Sequence, residues 1–497
     1  MTLSNTILSG NRRIRKQMIN SKQYYLDTFR VTEPILESLT TDALKSGGDY
    51  ADLFFESSVY SDLLLRDGQV ASGSLHTDFG VGIRVLKGDK TGYAYTESTE
   101  LRDMMQAARA AATISLQGGV GTERVEASSG RHGGKPNPAA DRYPMEQDWR
   151  VTREGAFVPM LEKLQRLIEK KDSRVIKVIA MLSSQVSDIL MFNSLGELKY
   201  DTRPMGNLTV SVIFKQGEVV ENKSASRSWR TGAEMMTDAL LEELASEVVS
   251  GVDERFAAIR PKGGKMSVVM GAGASGILLH EAMGHAFEAD FNRKGQSVFC
   301  DKMGKRICSK GITIVDDGTI RGNRGSLNFD DELVAGQRTA MVEDGVLTSY
   351  LHDRISARYY GVPPTGNGRR ESFRYHPIPR MRCTYMESGD AKAKDIIASV
   401  KNGIFVDQFS NGQVKIGEGD FTFYVKSGFL IENGQLTAPI KDINIIGNGP
   451  AALADIRAVA DDLIIDPGTW TCGKEQSVPV SCGIPTVLVD NLTVGGE

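Results

Sequence analysis

The sequence predicts an α+β fold in two parts. An N-terminal α/β region with an antiparallel sheet and flanking helices comes first. A mainly β, barrel-like C-terminal domain carrying one histidine-rich helix follows. Three observations lead there. In the N-terminal part, helical stripes and hairpin signals mix without the strict strand–helix alternation of a parallel sheet. From Pro261 onward, apolar runs bounded by glycine dominate. The 52 glycines among 497 residues supply the many turns this pattern needs.

A chain of this length exceeds one core. It divides into a flexible leader 1–29, an α/β domain 30–116, a linker 117–141, a central α/β domain 142–258 and a β-rich domain 259–497. The leader carries Arg12, Arg13, Arg15 and Lys16, but no apolar stretch of signal-peptide length follows them. In the first domain Thr32 caps a helix with Pro34 in its first turn and Leu36, Leu39 and Ala43 on its stripe. Strand runs at 52–56 and 60–66 lead to a hairpin signal at Asp67 and Gly68. Runs at 81–86 and 91–96 flank a second turn, and 100–116 reads as an alanine-rich helix. The linker is rich in Gly, Pro and Ser. The central domain offers a helix at 151–171, strands at 174–182, 185–192, 197–202 and 207–215, and a helix at 233–249. A short strand at 265–270 feeds the histidine-rich helix, and strand runs at 311–315, 339–350, 412–416, 421–432 and 485–490 follow.

Composition narrows the function. The net charge of −4 provides no general basic field, so direct nucleic-acid binding is not expected. No apolar run reaches the roughly 18 residues of a membrane helix. Five cysteines, Cys300, Cys308, Cys383, Cys472 and Cys482, are a low and odd count. They fit a reducing compartment better than a disulfide framework, and the cytoplasm is the expected location. The run Asp330, Asp331, Glu332 reads as a solvated turn. Arg369 and Arg370, in a glycine-rich loop, read either as a clamp for a substrate carboxylate or as a structural ion pair.

The chemistry concentrates at His280, Glu281 and His285. This is H-E-x-x-x-H, one residue longer than the H-E-x-x-H of zinc proteases, in which the histidines share a helix face and the glutamate is the base. On a regular helix, positions five apart diverge by about 140°. A π-turn, with one extra residue wound in, brings them back together. Gly284 removes a side chain that would crowd that distortion. Without the π-turn, the segment is a buried helix with two incidental histidines. A catalytic zinc also needs a third protein ligand. Glu288 lies three residues past His285. Cys472 and Cys482 each precede a glycine. Gly473 would let the backbone bend close, and Lys474 could help hold a thiolate.

Several stretches together resemble the TldD branch of the TldD/PmbA family. They are the segment from His280 to Phe299, the loop from Pro364 to Ser372, Cys472-Gly-Lys-Glu and the terminal run from Leu492 to Gly496. The resemblance extends over most of the chain from about residue 30. It implies a metallopeptidase with a β-rich C-terminal domain, acting on unfolded peptides. It implies Zn²⁺ held by His280, His285 and Cys472, with Glu281 as general base. It also implies a dimer, either a homodimer or a heterodimer with a PmbA/TldE-like subunit. The competing expectation is a non-catalytic binding or regulatory subunit of the topoisomerase-modulator type, keeping the metal for structure.

Overall fold

The computed structural model describes residues 21–113, 141–152 and 154–496. Residues 1–20 of the expected leader and 117–140 of the expected linker lie outside the described residues. The remainder of that leader is packed. Lys22–Phe29 is a helix whose N-cap Ser21 accepts from the Tyr24 N–H at 3.2 Å. Tyr25, Leu26 and Phe29 repeat at helical spacing and are buried, so this segment belongs to the core.

Six strands form one antiparallel sheet. They are β1 (Tyr50–Arg66), β2 (Gln69–Lys87), β3 (Lys90–Thr96), β4 (Val175–Asn193), β5 (Leu198–Gln216) and β6 (Val219–Trp229), in the order β3-β2-β1-β4-β5-β6. The sequence suggested two strands where β1 runs unbroken, and two more where β4 does. Ser58, in the gap between the two runs suggested for β1, is paired across the sheet. It stands opposite Ser187, and their hydroxyls meet at 2.6 Å.

Alternation divides the two faces. Leu53, Phe55, Leu63 and Leu65 of β1 point to the side covered by helices Lys22–Phe29, Glu33–Leu44, Leu101–Ala112, Val158–Lys171 and Asp238–Val249. Phe54 points the other way. With Ile189 and Met191 of β4 it packs on Leu333 and Phe373 of the C-terminal part. Burial of side chains of this size contributes about 1.5–3 kcal/mol each, so the sheet's second face is a substantial platform for the rest of the molecule.

The C-terminal part is built on a closed five-stranded barrel. Strand Gly264–Met270 pairs in parallel with Asn402–Lys415 and antiparallel with Val487–Gly495. Asn402–Lys415 continues to Asp420–Glu432, then Ile443–Asn448, and back to Val487–Gly495. A second sheet is formed by Ile314–Asp317, Arg338–Glu343, Val346–Leu347, Cys383–Met386, Ile464–Ile465 and Ser481–Ile484. The segment from Ile277 to Phe287 shares one core with Val268, Met270 and Phe423 of the barrel and with Met386 and Ile484 of the second sheet. The histidine-rich helix is thus wedged between two sheets.

The acidic run Asp330–Glu332 is not a solvated turn. All three residues are buried. Glu332 pairs with the Arg84 guanidinium at 2.6 Å, and Asp331 with that of Arg203 at 2.6 Å. Backbone N–H groups of Gly368, Arg370 and Arg354 donate to Asp330, Asp331 and Glu332 at 3.0, 2.8 and 2.6 Å. Arg84 also pairs with Asp52 of β1. The run therefore ties the N-terminal sheet to the C-terminal part. Burial, and then the neighbouring Glu332, push the Asp330 carboxyl up to about 7.

Candidate metal centre

Strand Gly264–Met270 leaves the barrel with the Gly271 N–H still bonded to the Val406 carbonyl at 2.8 Å. Gly273, at a φ of 88°, turns the chain. A single α-turn, Gly276–Leu279, leads directly into a π-turn at His280–Gly284 and a 3-10 turn at His285–Phe287. The π-turn is the distortion that the five-residue spacing requires. The rings of His280 and His285 lie with centroids 5.4 Å apart and planes crossing at 80°. Gly284 has a different purpose from the expected one. A Cβ there would sit 2.1 Å from the Met381 sulfur, so the glycine admits the neighbouring chain rather than relieving the turn itself.

His280, His285 and Cys472 converge, with ligand atoms all within 4.8 Å of one another and all three residues buried. The Cys472 sulfur is 3.3 Å from His285 Nε2. Two such donors on one tetrahedral zinc would stand about 3.6 Å apart. Both ring nitrogens of His280 are buried and have no hydrogen-bond partner among the described residues. Leaving two such groups unsatisfied is costly, and a bound cation would remove that cost for one of them. The donor set of two imidazoles and one thiolate suits zinc. Burial pushes the Cys472 thiol up, but His280 and His285 outweigh it and hold the thiol well below its ordinary range.

Glu288, one of the candidate ligands, takes another role. Its Oε2 bonds His285 Nδ1 at 2.9 Å, leaving Nε2 to face Cys472. A carboxylate on the far nitrogen fixes the ring's orientation and raises its basicity. Burial would raise the Glu288 carboxyl, yet Lys474 and His285 hold it at about 2. Lys474 does not attend the thiolate, as its sequence position suggested. Its Nζ contacts Glu288 at 3.1 Å, Asp290 at 2.7 Å and the Pro379 carbonyl at 3.1 Å. Nor is Gly473 needed for a close approach, since a Cβ there would meet nothing within 4 Å. Cys472 instead sits on the hairpin Thr471–Lys474/Gln476–Pro479, which Glu475 turns at a φ of 57°.

Glu281 reaches the group from its open side. Its side chain is 24% exposed, and Oε2 lies 3.9 Å from His285 Nε2. Cys482 is buried on Ser481–Ile484, outside the converging group, and burial pushes its thiol up. Arg369 and Arg370 are not available as a substrate clamp. Arg369 donates to the carbonyls of Met381 and Pro479. Arg370 donates to the Asp331 carbonyl at 2.9 Å and stacks 4.3 Å above Phe54. Sequence reading missed Arg380, which donates to the Cys472 carbonyl at 2.6 Å, because nothing near it in the chain marks it.

Three models of the PmbA/TldA metallopeptidases match: domain 1 over residues 51–115, the central domain over 154–253 and the C-terminal domain over 263–496. A Haemophilus influenzae protein named metalloprotease TldD homolog is 40% identical over 458 residues, covering 90% of this chain and 93% of that protein. A Saccharolobus solfataricus protein named zinc metalloprotease TldD homolog is 31% identical over 58% of this chain and 65% of that protein. Among solved structures, a Bacteroides thetaiotaomicron protein named as a modulator of DNA gyrase superposes with a TM-score of 0.73 at 21% identity, covering 96% of this chain and all of that one. TldE from Thermococcus kodakarensis gives 0.72 at 20% identity, over 93% of this chain and 100% of its own. These two show a shared fold. Among the described residues, no helix is long and apolar enough to cross a membrane. The three family models and the 40% identity to a TldD homolog place this chain in the PmbA/TldA metallopeptidase family, as a TldD-type metallopeptidase.

Proposed function

We propose that this chain hydrolyses unfolded peptides with a zinc ion held by His280, His285 and Cys472. The observation that carries the reading is the π-turn, which brings two histidines five residues apart to one thiol and leaves Glu281 beside them. The zinc metalloprotease name of the Saccharolobus relative supports the choice of metal. Bound there, zinc supplies a Lewis acid that polarises a peptide carbonyl and eases deprotonation of water.

The chain's own residues do the rest. Glu288 keeps His285 in the tautomer whose Nε2 is free to bind. The thiolate offsets one unit of the ion's charge, which two neutral imidazoles cannot do. Glu281, alone of the four in being partly open, accepts the water proton and returns it to the leaving amine. The working unit is a dimer with a copy of this chain or with a TldE-like subunit, a reading supported by the fold shared with TldE. Enclosure of that kind would spare folded proteins and admit extended chains.

The test is peptidase activity of the purified chain on a denatured protein, alone and mixed with a TldE-like subunit. The expected result is cleavage that a chelator abolishes and zinc restores, with little cleavage of the same protein when folded. Glu281→Gln should keep its zinc and lose about 10²–10⁴-fold in rate. Full activity in that zinc-loaded variant removes Glu281 from the mechanism. Chelator-resistant cleavage removes the ion.

A further inference from the structure

The hairpin that carries Cys472 is held from behind by arginines. Arg380 donates to the Cys472 carbonyl at 2.6 Å and to the Gln476 carbonyl at 2.8 Å. Arg324 donates through Nε to the Trp470 carbonyl at 2.8 Å and through Nη2 to the Thr471 hydroxyl at 3.2 Å. These contacts fix the two residues immediately before the thiol. Arg324 and Arg380 are both buried. Arg324 spends its remaining nitrogen outside the C-terminal part. Nη1 donates to Asn207 Oδ1 at 2.5 Å and to Ser228 Oγ at 2.9 Å.

Asn207 is on β5 and Ser228 on β6, directly opposite each other in register. The Ser228 hydroxyl donates to the same Asn207 oxygen at 2.6 Å. The Ser228 N–H donates to the Pro467 carbonyl at 2.8 Å, just upstream of Trp470. One planar guanidinium thus spans from the N-terminal sheet to the backbone beside the thiol. Its fixed fork transmits position in a way that a flexible lysine would not.

We propose that Arg324 is a positioning residue through which the N-terminal sheet sets how Cys472 meets the metal. This rests on the reading of His280, His285 and Cys472 as ligands. In that arrangement the sheet is part of the metal site, although no ligand comes from it. Groups hydrogen-bonded directly to a ligand are worth about 10–100-fold in metal affinity; Arg324 acts one step further out, through Trp470 and Thr471, so the lower end of that range is expected.

The test changes the sheet and reads the metal. Asn207→Leu and Ser228→Ala each remove one of the Nη1 acceptors on the sheet, the third being the Met205 sulfur at 3.5 Å, and leave the hairpin and all three ligands untouched. Asn207→Asp keeps an acceptor in the same place and serves as the conservative control. Each full-length protein is loaded with cobalt for its sulfur-to-metal absorption band, and with zinc for its rate of loss to a chelator. Urea unfolding is followed in parallel on the metal-free proteins. The parent and Asn207→Asp should show the same band and the same slow zinc loss. Asn207→Leu should lose zinc about 10-fold faster with a shifted band, and Ser228→Ala should change in the same direction by less. If Asn207→Leu does not fold, the Ser228→Ala rate decides alone. Folded variants with the parent's band and zinc-loss rate overturn the coupling. A change that merely follows overall stability in urea overturns it too, by assigning the contact to structure alone. A parent with no sulfur band removes Cys472 as a ligand, and the proposal falls with that reading rather than through its own failure.

Discussion

Around Glu332, each carboxylate of the run Asp330–Glu332 has arginine or backbone N–H partners; around His280, neither ring nitrogen has a hydrogen-bond partner among the described residues. Both clusters are buried, and both join segments far apart in the chain. In the first, the carboxylates are matched by arginines within the protein. The second brings three metal-ligating side chains together, and one of them, His280, has no hydrogen-bond partner among the described residues. The difference separates a structural polar network from a site more reliably than charge or burial does. His352 refines the rule. It is buried and its Nδ1 has no hydrogen-bond partner among the described residues, yet it stands outside the converging group, packed edge-on to Tyr350 and Tyr360. Lack of a partner marks a site only where several donors meet.

The comparison can be broken most severely at Cys472. Cys472→Ala should abolish stoichiometric zinc and peptidase activity together, whereas Cys482→Ala should lose neither. Metal content by elemental analysis and rate on an unfolded peptide check this pair. A Cys472→Ala protein that binds zinc like the parent would show that convergence was misread.

The carboxylate cluster should respond the other way. Arg84→Met strands Asp52 and Glu332 as buried charges, and removal of one partner from such a network costs about 3–5 kcal/mol. Urea unfolding should show that loss, while zinc per folded chain stays at the parent's value. Lower zinc in the folded fraction would mean that the two clusters are not separate in function.

His352 supplies the smallest and sharpest contrast. Burial holds its imidazole at about 4, below the usual 6.5. A depressed pKa gives stability that is present above pH 6.5 and lost as the pH falls through 4. The total is about 3 kcal/mol. His352→Phe should therefore flatten the stability-against-pH curve between pH 7 and 4 and leave zinc binding unchanged. Equal acid sensitivity in parent and variant, measured on metal-free protein, would show that His352 is not held neutral.

The parts that were legible in sequence were local. The spacing of His280 and His285 stated its own condition, a π-turn, because helical geometry leaves no other way for both rings to share an ion. The hairpin turns at Asp67 and Gly68 and at 87–90 announced themselves through residue type. The acidic run was misread because its partners, Arg84 and Arg203, lie far upstream, and three neighbouring acids look solvated when read alone. Arg369 and Arg370 stayed open between a clamp and a structural role, because their acceptors are mostly backbone carbonyls without a sequence signature. Cys472 could be separated from Cys482 only by family resemblance; in space the two differ plainly. Gly284 was noticed for the right reason of crowding, but the crowding atom belongs to Met381, which no helical pattern would suggest.

The closure of the barrel has a consequence for synthesis. The strand from which the histidine-rich helix springs, Gly264–Met270, is bonded on one side to Val487–Gly495. Cys472 and the strand that completes the ring are therefore made some 200 residues after the two histidines. A nascent chain emerging from the ribosome carries His280 and Glu281 long before it has the thiol or a closed support for their helix. The proposed ligand set is consequently completed only once the hairpin of Cys472 and the strand Val487–Gly495 have been made. On the proposed reading, the metal site stays incomplete until both the histidine-rich helix and the Cys472 hairpin are in place.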